Sequence, residues 1–295
     1  MVLFASGRTD IPAFYPLWFM NRYREGYVDT RNPFYPKLVS RIYFSDVDAI
    51  LFCSKNPTPI LPFLKEITQP ILFHITLTPY HKDIEPNLVP KVQVIQAIKT
   101  LAKTYGMKQV AVRYDPIFLS ARYDVAYHLK AFASLASQLK GYVNTVIVSF
   151  MDDCKSVRRN ADILKARPFT EEDYKAIGEG FSRIAEENGM FVQTCYEERT
   201  LFEYGFQKGE CVPKALIYEL TGKQIKGHMP RRGGTCDCVR TVDIGDYNCC
   251  PHGCKYCYAN YDEKSVGENM RKHDPNSSLL IGHVGPDDII KVRKV

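Results

Sequence analysis

The chain predicts an α/β fold: a (βα)6 barrel of partial TIM type, followed by a C-terminal appendage with a cysteine-rich loop and a tail. Three observations predict it. Short continuous runs rich in Val, Ile and Phe recur through the first 200 residues, as strands buried on both faces of a parallel sheet do. Helical stretches with a single apolar stripe lie between them, and strand–helix alternation builds right-handed βαβ units. Polar residues gather after nearly every run, where α/β barrels assemble their sites.

In chain order the runs are Val2–Ala5, Ala49–Cys53, Ile71–Leu77, Val110–Tyr114, Val143–Phe150 and Met190–Cys195. The first clear helix carries Val92, Ile95, Ile98, Leu101 and Ala102 at 3–4 spacing, with Gly106 at its C-terminal cap. Asp124 caps a second, with Ala126, Leu129, Phe132, Ala133 and Ala136 inward and Gly141 near its end. Thr170 and Asp173 resemble a capping box for a third, whose face is Tyr174, Ile177, Phe181 and Ile184, and Gly189 stops it. Six such units suit a closed or nearly closed barrel, or an open doubly wound sheet. No Gly-x-Gly-x-x-Gly follows any strand, which argues against the dinucleotide-binding version and favours the barrel. Residues 1–200 are then the barrel domain, and 201–295 an appendage expected to fold over the barrel mouth, because its apolar content is too thin for an independent domain.

Composition narrows the class. Hydrophobic residues make up 45% and charged residues 24% of 295, as in ordinary globular proteins. No long apolar run marks a membrane span, and the first residues lack the pattern of a signal peptide. The expected compartment is the cytoplasm, where ten cysteines point to metal or redox chemistry before disulfides. The formal net charge of +6 is spread without long like-charge blocks, as on a solvated surface. It also suits a small-molecule or nucleotide-like anionic substrate, and leaves nucleic acid open.

Charges placed directly after buried strands are costly unless paired or used. Arg8, Asp10, Lys55, Asn56 and Arg113 stand at such places and are the candidates for orienting a substrate or cosubstrate. The plainer account of each is helix capping or loop chemistry. Trp18, with Phe14, Tyr15 and Phe19, reads as core packing more readily than as a stacking platform. His74, in an apolar run, reads as a satisfied core histidine.

The stretch Cys236–Asn260 holds six of the ten cysteines, including Cys250-x3-Cys254-x2-Cys257 with Tyr256 before the last. Three thiols in eight residues form a metal-binding loop. Zinc sites usually close with two C-x2–4-C pairs, and Cys236-x-Cys238 is too tight for the usual second one. Thiolate loops with C-x2-C steps also hold [4Fe–4S] clusters, and three ligands leave one iron open. Any of Cys236, Cys238 and Cys249 could supply the fourth and close the cube, which makes a redox or structural cluster carrier, and a zinc-stapled fold is the third alternative. His252 fits a role beside the cluster better than one as a ligand. The remaining cysteines, Cys53, Cys154, Cys195 and Cys211, read as small buried apolar residues.

The spacing and its aromatic resemble the cluster loop of radical S-adenosylmethionine enzymes, here after the sixth strand instead of the first. The whole chain resembles an uncharacterised bacterial family with a radical-SAM-like cysteine cluster at its C-terminus. The residues carrying this are Ser6–Pro12, Ser54-Lys55-Asn56-Pro57, Asp243-Ile244-Gly245 with Tyr247, the Cys250–Asn260 loop and His273-Asp274-Pro275-Asn276. The resemblance implies a [4Fe–4S] cluster on Cys250, Cys254 and Cys257, S-adenosylmethionine at the open iron, cleavage to a 5′-deoxyadenosyl radical, and an electron donor such as flavodoxin or ferredoxin. It names no substrate.

Overall fold

The computed structural model describes residues 1–194, 197, 199–225 and 237–294. Its strands are β1 (Val2–Ala5), β2 (Tyr27–Arg31), β3 (Leu38–Tyr43), β4 (Ala49–Ser54), β5 (Ile71–Thr76), β6 (Val110–Ile117), β7 (Thr145–Phe150), β8 (Phe191–Thr194), β9 (Thr241–Asp243) and β10 (Ile289–Val292). Seven of them form one sheet in the order β8-β7-β6-β5-β4-β1-β9, and every neighbouring pair is parallel. All their C-terminal ends therefore lie along one edge. The six apolar runs read from the sequence are β1 and β4 to β8.

The expected barrel closure is not there. A barrel pairs every strand on both sides. Among the described residues, β8 and β9 are the ends of an open sheet. The free side of β8 is covered by a bridge from Gln193 to Gln207, whose N–H donates to the Val192 carbonyl at 2.8 Å, one way an edge is kept from pairing further. The seventh strand escaped the sequence reading because β9 is three residues long and sits inside the cysteine-rich stretch. It aligns Asp243 with Phe4.

The strands are not uniformly apolar. Register places Cys53 beside His74 and Thr76 beside Arg113. With Asp115, Ser149 and Gln193 these form a polar inner face toward the C-terminal edge. On the same face, Val2, Leu51 and Leu72 pack against Val212, Ile217 and Val239 from beyond residue 200. The larger core lies on the outer face, where the helices Pro16–Glu25, Lys91–Tyr105, Val125–Leu139 and Glu171–Glu187 pack.

The helices follow their local signals. Thr170 and Asp173 make both bonds of the capping box, and Asp124 caps through the Tyr127 N–H at 2.8 Å. The Lys91–Tyr105 helix buries Val94, Ile95, Ala97, Ile98, Leu101 and Ala102. Val92, expected inward, is 68% exposed in the first turn.

A smaller sheet, β10-β3-β2, joins an antiparallel hairpin to the tail. Trp18 is fully buried, and its Nε1–H points at the carbonyls of Ser277 and Leu279 at 2.9 and 3.1 Å. Arg22, also buried, donates to the Asn276 carbonyl at 2.9 Å. The aromatic segment thus packs the core and pins the tail. Trp18→Phe keeps an apolar ring and loses the donor. It should cost about 1–3 kcal/mol in urea unfolding and speed proteolysis between residues 271 and 288.

Candidate functional site

The C-terminal edge of the large sheet is organised by three carboxylates. Asp10 follows β1 and is buried. One of its oxygens accepts from the Ser54 hydroxyl at 2.7 Å and the Ala13 N–H at 3.1 Å. The other accepts from the Lys55 N–H at 2.8 Å and His252 Nε2 at 2.7 Å. Asp10 therefore ties the ends of β1 and β4 to the cysteine loop.

Asp243, at the end of β9, accepts from the Ser6 hydroxyl at 2.8 Å, the Gly7 N–H at 2.8 Å and the Gly245 N–H at 2.7 Å. A Cβ on Gly245 would stand 1.9 Å from the Ser6 oxygen, so only glycine fits this turn. Arg8 pairs with the same carboxylate at 3.3 Å and lies over the Tyr247 ring at 5.7 Å.

Glu85, in the loop after β5, is the third. It binds Lys55 Nζ at 2.9 Å, the Thr78 hydroxyl at 2.5 Å, the Lys91 ammonium and the Tyr256 hydroxyl. Burial alone would raise this carboxyl; Lys55 and Lys91 outweigh it and hold it down at about 2. Sequence reading missed Glu85, because one acid in a long loop carries no pattern. The nearest signal was Tyr256, the aromatic between the last two cysteines.

Farther along the edge, Arg113 pairs with Asp115 at 2.8 Å, and Ser149 donates to the same carboxylate. Burial would raise Asp115, but Arg113 and Ser149 keep it below the usual carboxylate range. Asn56 points into local structure: its side-chain oxygen accepts the Thr58 N–H at 3.3 Å. Of the five predicted polar candidates, Arg8, Asp10, Lys55 and Arg113 thus stand on one edge in paired networks, and Asn56 shapes a turn. His74 is a satisfied inner-face histidine. Its Nε2 bonds the Cys211 carbonyl at 2.8 Å, and burial lowers its pKa to about 3.

The cysteine loop docks across this edge through its backbone. The Pro251 and His252 carbonyls accept from the Asn87 side chain and N–H at 2.9 and 3.3 Å. The Lys255 carbonyl accepts from Asn160 and the Cys257 carbonyl from Ser156, both at 2.7 Å. Tyr256 fills an apolar cluster with Tyr80, Ile84, Phe118 and Val157. A loop whose polar backbone is satisfied this fully holds its side chains in place.

Cys250, Cys254 and Cys257 all turn inward. Burial raises all three thiols, Cys254 to about 12. Cys250 is raised further by Asp10 and by Cys254. In the metal-free chain they are protonated at neutral pH, so metal uptake releases their protons. The Ala259 N–H approaches the Cys257 sulfur at 3.4 Å. His252 Nδ1 and Asn260 Oδ1 are buried without partners. The donor set is soft, and Cys254 packs against the apolar cluster of Tyr80 and Phe118, surroundings that suit thiolate ligands. Among the described residues, no group of three His, Cys, Asp or Glu is placed to hold one metal ion.

The spare cysteines are engaged elsewhere. The Cys238 sulfur accepts the Cys211 N–H at 3.1 Å, beside the apolar patch under β1 and β4. The Cys249 thiol donates to the Asp246 carbonyl at 3.0 Å. Cys236 and Cys195 lie outside the described residues. Among the described residues, a cysteine from elsewhere in the chain, Cys154, comes near the loop. Its sulfur is 3.1 Å from the Ser156 hydroxyl that bonds the Cys257 carbonyl, and it packs on the same apolar cluster as Cys254.

Fold and site define an α/β protein with an open parallel sheet, whose C-terminal edge is roofed by a three-thiol loop. The chain belongs to the family described as domain of unknown function DUF1848, whose model matches residues 2–259 and so includes all three thiols of the loop. No curated protein and no solved structure matches it. No helix among the described residues is long and apolar enough to cross a membrane.

The Glu85 network sets a pH dependence. An unfolded glutamate titrates near 4.3, whereas the folded one is held at about 2. Its stabilisation is present above about pH 5 and is lost as pH falls toward 2. Urea unfolding of Glu85→Gln should show a loss of roughly 3 kcal/mol against the parent at pH 7. That gap should shrink between pH 5 and pH 2.5, and a constant gap would exclude the assignment.

Proposed function

We propose that the chain is an iron–sulfur enzyme of the radical S-adenosylmethionine type, built on a partial TIM-type barrel, in which Cys250, Cys254 and Cys257 hold a [4Fe–4S] cluster. The observation that carries this is three half-buried thiols on a backbone-docked loop above a charged sheet edge, with Cys238 and Cys249 bonded elsewhere. Thiolates on one tetrahedral zinc lie within about 4 Å of one another. Those of a four-iron cube sit on separate irons and stand farther apart. Among the described residues no three such groups converge on one ion, and metal analysis decides between the cube and the zinc staple.

When bound, such a cluster with one open iron supplies reductive cleavage of S-adenosylmethionine, given an electron from a flavodoxin- or ferredoxin-like donor. The chain's own residues position and screen. Lys55 lies over the Tyr256 ring at 5.4 Å and places a cation beside Cys254. Glu85 fixes both Lys55 and Tyr256. His252 Nε2 bonds Asp10 at 2.7 Å, and its Nδ1 stands without a partner inside the loop. Arg8 and Arg113 are each paired with a rim carboxylate, Asp243 and Asp115, with which an anionic substrate would compete for them.

A second reading rests on Cys154, which could close the cube as a fourth ligand and leave an electron carrier.

Protein purified without oxygen and reconstituted should contain iron and sulfide in equal amounts and lose its cluster absorption in Cys250→Ser, Cys254→Ser and Cys257→Ser. Cys238→Ser and Cys249→Ser should keep it. With dithionite and S-adenosylmethionine it should yield 5′-deoxyadenosine. An intact cluster that gives none sinks the enzyme reading, and loss of the cluster in Cys154→Ser selects the carrier. Zinc without iron or sulfide excludes both.

A further inference from the structure

Beside the cysteine loop, on the rim beyond β7, lies a cavity of about 560 Å³ lined by Cys154, Lys155, Ser156, Arg159, Tyr258 and Tyr261. Its size lies within the roughly 300–1,000 Å³ range of small-molecule sites. Its chemistry is mixed in a particular way. Two walls are tyrosine rings that remain open to solvent, 56% for Tyr258 and 49% for Tyr261. Both rings are held. The Tyr258 hydroxyl reaches across to the Gly7 carbonyl at the end of β1. Tyr261 stacks on Tyr247 with centroids 6.5 Å apart and planes 12° from parallel, and its carbonyl accepts from Arg159.

The rest of the wall is cationic. Lys155 is exposed and has no ion-pair partner among the described residues. Arg159 is 3.7 Å from Asp262, a solvent-exposed pair that competes weakly for it. No carboxylate belongs to the lining. Ser156 and Tyr258 connect the cavity to the thiol loop: Ser156 bonds the Cys257 carbonyl, and Tyr258 follows Cys257 directly.

We propose that this cavity is the substrate site, and that its ligand class is a nucleotide, with the base against Tyr258 and Tyr261 and the phosphate on Lys155 and Arg159. Two fixed open aromatic rings favour a planar ring over an aliphatic anion, since base–aromatic stacking contributes about 1–3 kcal/mol. Two cations favour a phosphorylated ligand over a free nucleoside through charge-assisted hydrogen bonds. The reading deepens the proposed function, on which it rests for the chemistry next door, but binding and cluster content are measured separately.

The test is calorimetric titration of the full chain, reconstituted and metal-free, with the four ribonucleoside 5′-monophosphates, against their four free nucleosides, ribose 5-phosphate and inorganic phosphate. At least one monophosphate should bind saturably, and its free nucleoside and ribose 5-phosphate each about tenfold or more weaker. Lys155→Ala should weaken it about tenfold and flatten its salt dependence, Tyr261→Leu should weaken it about tenfold with salt dependence kept, and both variants should retain the parent's iron and sulfide. No saturable binding of any monophosphate to cluster-loaded protein overturns the site. So does equal affinity in the parent and Lys155→Ala, or stoichiometric displacement of the nucleotide by S-adenosylmethionine, which would make the cavity the cosubstrate's. Nucleotide binding by protein that takes up no iron would leave the cavity standing and sink the cluster.

Discussion

A carboxylate taken out of water must find donors on every side or lose its charge, and at Asp10 those donors come from three separate parts of the chain. Ala13 belongs to the turn after β1, Ser54 and Lys55 to the end of β4, and His252 to a loop some 240 residues away. An unpaired buried charge costs several kcal/mol. If the cysteine loop left the sheet edge, Asp10 would lose its His252 donor and keep those of Ala13, Ser54 and Lys55. Asp243 and Glu85 repeat the device, one joining the end of β9 to the end of β1, the other joining the loop after β5 to Tyr256.

These three anchors explain how a loop far along the chain acts as part of the strand-end site. Parallel strands deliver their C-terminal ends to one edge, and any segment bonded to two of those ends lies over it. The loop's carbonyls are taken by Asn87, Asn160 and Ser156, so its backbone has few polar groups left to satisfy. The buried side-chain nitrogen and oxygen it leaves without a partner are His252 Nδ1 and Asn260 Oδ1. The same fixed frame carries Cys250, Cys254 and Cys257, the soft donors on which the proposed cluster rests. The rim outside the loop, with Tyr258, Tyr261 and Lys155, is open by contrast.

Much of this was legible in the order of residues. Val2–Ala5 and the five later runs are strands because apolar β-branched clusters resist other conformations, and Thr170 with Asp173 starts a helix because the capping bonds are local. The thiol spacing and the polar positions Arg8, Asp10, Lys55 and Arg113 could be read for the same reason. Other features could not. β9 is three residues long and carries no periodicity of its own; it is a strand because β1 offers it an edge. Val92 had the right spacing for the buried stripe and lies outside it, since the neighbouring elements decide which turn is covered.

Sequence alone thus determined six strands of the large sheet and three of its helices, the thiol loop and the expectation that strand-end charges share a site, because each depends on neighbours within a few residues. Tertiary structure alone decided that the sheet stays open, that Glu85 joins Lys55 to Tyr256, and that Cys154, from elsewhere in the chain, stands beside the loop. Those outcomes depend on which distant groups can neutralise a buried charge or cover an edge, and that pairing has no period along the chain.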